Sequence, residues 1–239
     1  ETLGVTLLTG APLTGIAVKD GTVSGMYKDQ AVTGDLLLVA VGRRPNTAAL
    51  DLARAGVKVD ERGTIPVDAQ GRTNVASIFA VGDLVTGSIQ LAHAATQQGE
   101  AAVEAAAGLK SHVEKLCPSC IFTSPEIGLA GLTEAKAQQL GLTVKTATFP
   151  FSALGKAMAA GETDGFVKWI CDAASGQVLG AQAVGAHATE LIAEAALAIR
   201  NELTVDEVGR TIHSHPTMSE AWMEAAHAFH NACIHLPKR

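Results

Sequence analysis

Residues 77–108 read SIFAVGDLVTGSIQLAHAATQQGEAAVEAAAG. A short apolar run stops at Gly82-Asp83, a loop follows, and an alanine-rich segment runs on until Gly108 closes it. Strand, loop and helix in that order form the unit from which α/β folds are built. In an open parallel sheet, ligands sit beyond the carboxyl ends of the strands. Asp83 therefore stands where a carboxylate accepts hydrogen bonds from ligand hydroxyls, although an aspartate there caps the next turn equally well. The segment QLAHAATQQG opens the helix, and its first backbone N–H groups, with no intrahelical partner, suit an electron-rich ligand edge. Taken alone, His93 reads more readily as a partly buried histidine with an ordinary hydrogen bond.

Upstream the pattern is similar. Val5–Leu8 is a β run, and Gly15–Val18 and Val23–Tyr27 flank the hairpin signal Lys19-Asp20-Gly21. Asp35 leads into LLLVAV, a continuous apolar run of the kind found in buried parallel strands. It ends at Gly42-Arg43-Arg44-Pro45-Asn46, where Gly42 leaves room for close backbone approach and the arginines either face a phosphate or are solvated. Asn46 is placed to cap a helix, TAALDLARA, that Gly56 ends. Short β runs are expected at Val57–Val59 and Ile65–Val67. The polar stretch Lys110–Lys115 reads as a linker.

Beyond Pro118 the character changes to α+β. Strands are expected at Cys120–Thr123 and Thr143–Phe149, with a helix between them capped by Thr133. GFVKWIC, a turn at 172–176 and QVLGAQAV make a hairpin. A helix over 188–200 has apolar spacing at Leu191, Ile192, Ala195 and Ile199. CPSC, 117–120, precedes a strand rather than opening a helix, so its cysteines read as structural rather than as a redox pair.

HSHPTMSEAWMEAA, residues 213–226, carries the densest chemistry. Thr217-Met218-Ser219-Glu220 fits the S/T-x-x-E capping box, predicting a last helix that starts near Pro216 and packs Trp222, Ala226, Phe229 and Cys233 inward. His215 is held before a proline, with a carboxylate nearby; that arrangement orients the imidazole tautomer and suits general acid–base work. The capping and catalytic readings are compatible.

The 239 residues suffice for one large or two modest domains. A net charge of −6 with no basic run argues against nucleic-acid binding. No run of about 18 apolar residues marks a membrane span. Four cysteines make no disulfide framework, which favours a reducing, cytoplasmic setting. The opening ETLGVTLLTG has neither an initiator methionine nor a signal-peptide pattern, and a truncated chain is expected. A metal reading rests on His227-x-x-His230, on His213 and His215, and on CPSC, but the cysteine and histidine pairs lie far apart in sequence.

Together VAVGRRPN, SIFAVGD, QLAHAATQQGE, CIFTSPEIGLAG, GFVKWICD, VLGAQAVGAHATELI and IHSHPTMSEAW resemble, in order, the C-terminal portion of the pyridine nucleotide-disulfide oxidoreductases, most closely the dihydrolipoyl dehydrogenase branch. The resemblance implies a remnant of an NAD-binding Rossmann-like domain over 1–45, part of an FAD-binding one over 46–110, and an α+β interface (dimerisation) domain over 115–239. It implies that Asp83 binds the FAD ribitol, that Gln90, Leu91, Ala92 and His93 meet the flavin ring, and that Gly42 lines the NAD site. It makes His215 the acid–base residue with Glu220 as its partner, serving the disulfide of the opposite subunit of a homodimer. His213 is then a neighbour without a proton-transfer role. The implied reaction is oxidation of dihydrolipoamide, borne on a lipoyl domain, by NAD⁺ through an enzyme disulfide and FAD. Neither a GxGxxG nor the family's pair of cysteines separated by four residues is present. The chain alone is therefore expected to be inactive, with weak or no FAD binding. A non-catalytic dimerisation module and a glutathione reductase-like enzyme are the alternatives; the HSHPTMSE wording and the ending HLPKR favour the lipoyl branch.

Overall fold

The computed structural model describes residues 4–237. The first three residues of ETLGVTLLTG and the last two of HLPKR lie outside it. Two compact units divide the chain, Glu1–Pro45 and Asn46–Arg239.

In the first unit, β1 (Leu13–Lys19) and β2 (Thr22–Tyr27) pair antiparallel with Lys19 opposite Thr22. The turn residues Asp20 and Gly21 have φ of 50° and 78°. Both are positive, as a type I′ turn requires, and its twist matches that of the flanking strands. A third strand, β3 (Gln30–Gly34), extends the meander and was not expected. Two expected runs are not strands. Residues 5–8 join no ladder, and neither does LLLVAV, whose Leu36, Leu38 and Val41 are 86%, 83% and 92% exposed. A parallel strand needs hydrogen-bonding neighbours and helices over its faces. Among the described residues none stands beside 36–41.

The front of the second unit is less regular than its sequence predicts. TAALDLARA gives only a 3-10 turn, Ala48–Leu50, because Asp51 takes a left-handed conformation at φ 49°. Asn46 does not cap it; the preceding position is Thr47, whose hydroxyl donates to the Gly63 carbonyl at 3.1 Å. Val57–Val59, Ile65–Val67 and SIFAVGD form no ladder. The latter two are tied by single bridges, Ile65 to Val85 (parallel) and Arg72 to Phe79 (antiparallel), and the first by the Lys58 N–H, which donates to Asn74 Oδ1. Aspartate-centred turns supply much of the remaining bonding: Asp60 accepts from the Arg62 and Thr64 N–H groups, and Asp68 from those of Gln70 and Arg72. Val57, Ile65, Ala80 and Val85 close a small core.

Helix α1 (Ala92–Ala106) follows. Gly108, at φ 73°, ends it in a Schellman motif, with Leu109 N–H on the Glu104 carbonyl and Gly108 N–H on that of Ala105. The expected linker is a fastened strap. Ser111 donates to the Ala101 carbonyl, Gln97 to the His112 carbonyl, and Glu114 pairs with Arg200.

The rest is a five-stranded antiparallel sheet of β4 (Ser119–Ile121), β5 (Ile127–Gly131), β6 (Val144–Pro150), β7 (Gly165–Asp172) and β8 (Val178–Gly185), in the order β4-β5-β8-β7-β6. Helix α2 (Glu134–Gln139) starts as expected at Thr133, whose side chain accepts from the Lys136 N–H. α3 (Gly155–Ala160), α4 (Ala188–Arg200), α5 (Val205–Arg210) and α6 (Glu220–Phe229) complete the fold. Pairing aligns Ala130, Ala181, Trp169 and Ala147 across one face, beside the row Gly128, Ala183, Val167 and Phe149. Both rows are buried. The alternate row Leu129, Gln182, Lys168 and Thr148 is not, the inside–outside alternation of a half-covered sheet. α4 covers the small residues of β5 and β8; α6 covers β6 and β7. Trp169 of β7 and Trp222 of α6 meet at a centroid distance of 4.3 Å. Trp169 Nε1 donates to the Trp222 carbonyl and Trp222 Nε1 to that of Leu191, each at 3.0 Å. The core thus bolts α4, α6 and β7 together, and α6 carries the site.

Candidate active site

His215 lies on the segment between α5 and α6. Met218, 7% exposed, pins that segment into the core, while the His215 side chain is 72% exposed. The His215-Pro216 peptide is cis. His215 Nδ1 lies 2.9 Å from Glu220 Oε1. Because a carboxylate oxygen only accepts, Nδ1 carries the proton, and in the neutral ring Nε2 holds the lone pair on the exposed side.

Glu220 is the first residue of α6 and is buried. Burial pushes its carboxyl up, but the Thr217 N–H, the His215 hydrogen bond and the charges of His215 and His235 outweigh that and hold it below the usual carboxylate range. The expected capping box is only half built. Glu220 Oε2 accepts from the Thr217 N–H at 2.8 Å, but the Thr217 hydroxyl turns back to the Ser214 carbonyl at 2.7 Å. The helix also begins four residues later than Pro216, after Ser219. A complete capping box occurs instead at Thr204 and Glu207, opening α5. Glu220 is thus released from pure capping to hold an imidazole. Of the expected inward stripe, Trp222, Ala226 and Phe229 are buried, and Cys233 lies beyond the helix, half-buried.

Sequence reasoning missed the surroundings of this pair. The side chain of His213 is only 5% exposed, and its Nε2 lies 2.7 Å from Glu194 Oε1 on α4. Nineteen positions separate the two, and no local pattern marks them as neighbours. Glu224, fully buried one turn after Glu220, accepts from His235 Nδ1 at 2.7 Å and from the Ile234 N–H, holding the chain beyond α6.

At the start of α1 the donors are as the sequence predicts. Leu91 makes no side-chain cap, and the first intrahelical bond runs from Ala95 N–H to the Leu91 carbonyl. The N–H groups of Ala92, His93 and Ala94 are thus left outside the helical ladder, beside exposed Gln90 and His93. Gly82 ties the preceding turn to this helix: its N–H donates to Gln98 Oε1 at 2.7 Å, and a Cβ there would stand 3.2 Å from that of Ala95. Half-buried Asp83 follows. A carboxylate that accepts from ligand hydroxyls and helix N–H groups that donate to ring carbonyls make a set that fits a flavin nucleotide. His93 Nε2 meets the Pro118 carbonyl at 2.7 Å. Gly42, in the first unit, has φ 113° and no atom within 4 Å of where a Cβ would stand, leaving the backbone open to close approach.

Cys117 and Cys120 are free thiols. Burial raises both, and the charges of Glu126 and Glu190 add at Cys120, which opposes the thiolate that redox or metal chemistry needs. His227 meets the Gly209 carbonyl and His230 meets Asp206, so the two histidines serve separate contacts. Among the described residues no group of His, Cys, Asp and Glu is arranged to hold a metal ion, and no helix is long and apolar enough to cross a membrane.

Residues 1–99 match the family model "Pyridine nucleotide-disulphide oxidoreductase", and residues 117–226 that family's dimerisation domain. The chain is 45% identical over 235 residues to the dihydrolipoyl dehydrogenase of Chlamydia muridarum, covering 98% of the chain and 50% of that protein. It is 46% identical over 210 residues to the dihydrolipoyl dehydrogenase of Thermus scotoductus, covering 88% of the chain and 45% of that protein. It thus spans about half the length of the curated relatives it matches. Among solved structures, LpdA of Mycobacterium tuberculosis superposes with a TM-score of 0.85 at 30% identity, over 93% of this chain and 49% of that one. The HOCl-induced flavoprotein disulfide reductase RclA of Escherichia coli superposes with a TM-score of 0.83 at 27% identity, over 90% and 50%. With both parts of the chain matched by models of one family, the chain belongs to the pyridine nucleotide-disulphide oxidoreductases.

Proposed function

We propose that the chain supplies the acid–base pair and the dimer surface of a flavin-dependent dihydrolipoyl dehydrogenase, acting in the cytoplasm on the lipoyl domain of a 2-oxo acid dehydrogenase complex. The carrying observation is the His215–Glu220 pair at 2.9 Å, with the imidazole open to solvent and the carboxylate buried behind it. A free thiol, with a pKa of about 8.5, is mostly protonated near neutrality, and only the thiolate attacks a disulfide. His215 Nε2 takes the substrate's proton, and the carboxylate of Glu220 stabilises the resulting imidazolium while fixing its orientation. The disulfide belongs to the opposite subunit of a homodimer, so the pair is useful only across a dimer. FAD and NAD⁺, where bound, carry the electrons away from the reduced disulfide. In this reading Asp83 holds the ribitol, Gln90, Leu91, Ala92 and His93 face the flavin ring, and Gly42 lines the NAD site. Residues 1–45, 46–110 and 115–239 belong respectively to the NAD, FAD and interface domains.

The chain by itself contains neither GxGxxG nor the CxxxxC pair. Purified alone it is expected to show no NADH-linked lipoamide turnover and no stoichiometric flavin absorbance; either signal would refute that part of the proposal. Joined to the complementary half of a relative, it is expected to support dihydrolipoamide oxidation. His215→Gln should then lower kcat by about 10²–10⁴-fold with flavin content unchanged. A fold-competent chimera indifferent to that change would exclude His215 as the base. A second reading, a non-catalytic dimerisation module, draws on the match of residues 117–226.

A further inference from the structure

The reading of His215 as the base leaves its buried neighbour without a task, yet His213 is the more tightly held of the two. Its Nδ1 lies 2.9 Å from the Thr211 carbonyl and its Nε2 lies 2.7 Å from Glu194 Oε1. Both partners are acceptors only. A neutral imidazole has one N–H, so one ring nitrogen would have to present its lone pair to an oxygen lone pair. Satisfying both contacts takes both protons.

We propose that His213 is a positioning residue, a fixed imidazolium that clamps the segment bearing His215 to α4 through Glu194 and to its own backbone through Thr211. The proposal rests on His215 being the base, but its first test does not. The clamp sits two residues before His215 and two after Thr211, at the point where the chain leaves α5 for α6. Neutralising His213 turns one attraction into a repulsion and frees the segment whose far end Glu220 holds through His215 and the Thr217 N–H. The charged groups facing His213 are Glu194 from α4 and Glu220 from α6, with His215 and His235 acting in turn on Glu220. The Glu194 hydrogen bond raises the affinity of His213 for its second proton, against a smaller opposing effect of burial.

The test is ¹⁵N-histidine NMR of the 239-residue chain across a pH titration. His213 is expected to carry protons on both ring nitrogens at neutral pH, and the neutral form of His215 to hold a single Nδ1–H tautomer. As pH rises through deprotonation of His213, His215 is expected to lose that single tautomer at the same midpoint. Glu194→Gln, which keeps the shape and an acceptor but removes the charge, should move both events together to lower pH, and Glu194→Asp should restore them in part. His213→Gln should leave His215 in mixed tautomers at every pH while circular dichroism stays unchanged. A role confined to filling space predicts no such coincidence. A singly protonated His213 at neutral pH, or a His215 tautomer indifferent to its deprotonation, would overturn the proposal. These outcomes are independent of whether His215 transfers a proton in turnover, so failure of the clamp and failure of the base assignment can be told apart.

Discussion

A buried carboxylate has to be compensated, and Glu220 shows how a single residue does it. Burial works against its charge, while one backbone N–H, one imidazole and a second histidine charge work for it, and the balance falls on the charged side. The sign of the pH dependence follows. A carboxyl whose folded pKa is depressed contributes stability that is full above its unfolded value, about 4.3, and is lost as pH falls through the folded value. Thermal unfolding of the wild type should therefore drop on acidification below that range. Glu220→Gln should be the less stable protein at neutral pH, with the difference closing in acid; a gap that persists unchanged would mean that Glu220 acts through shape alone. His215 and Glu220 were legible in the sequence because proline and a five-residue spacing place them on one short segment. Glu194 was not, since its contact with His213 exists only once α4 has docked, and docking leaves no local trace in the chain.

At the scale of elements, what could be read was whatever closes locally. The I′ turn at Asp20-Gly21, the Thr133 cap and α4 from Ala188 to Arg200 all appear where the sequence places them. LLLVAV, SIFAVGD and the half-formed cap at Thr217 do not, because a strand is completed by partners elsewhere and a cap by how its side chain competes for nearby carbonyls. The α4–β5 contact shows the value of small residues in such a partnership. A Cβ on Gly128 would lie 2.4 Å from the Ala188 carbonyl oxygen and 2.9 Å from Ile192 Cβ. Gly128→Ala is therefore expected to cost about 1–3 kcal/mol by overpacking. Gly99→Ala, within α1 and with nothing within 4 Å of the new methyl, should instead add about 0.5–1 kcal/mol by helix propensity. Urea denaturation of the pair checks both signs, and equal effects would discount the close approach of α4.

At the scale of the whole molecule, the second unit leaves Phe122, Leu197 and Ile212 exposed at 81%, 63% and 95%. Side chains of that size are the kind a protein partner covers, and the matched dimerisation domain includes all three positions. Light scattering at micromolar concentration is expected to report a dimer. A monomer would remove the basis for a site shared across subunits. The tryptophan junction adds an optical consequence. The chain has two tryptophans in all, both fully buried and facing each other where α6 meets β7. Tryptophan fluorescence, excited selectively, thus reports on one address only, the seat of the helix that begins with Glu220. A spectroscopist following that emission through denaturant, acid or ligand watches that hinge-pin alone, since residues 46–116 hold no tryptophan.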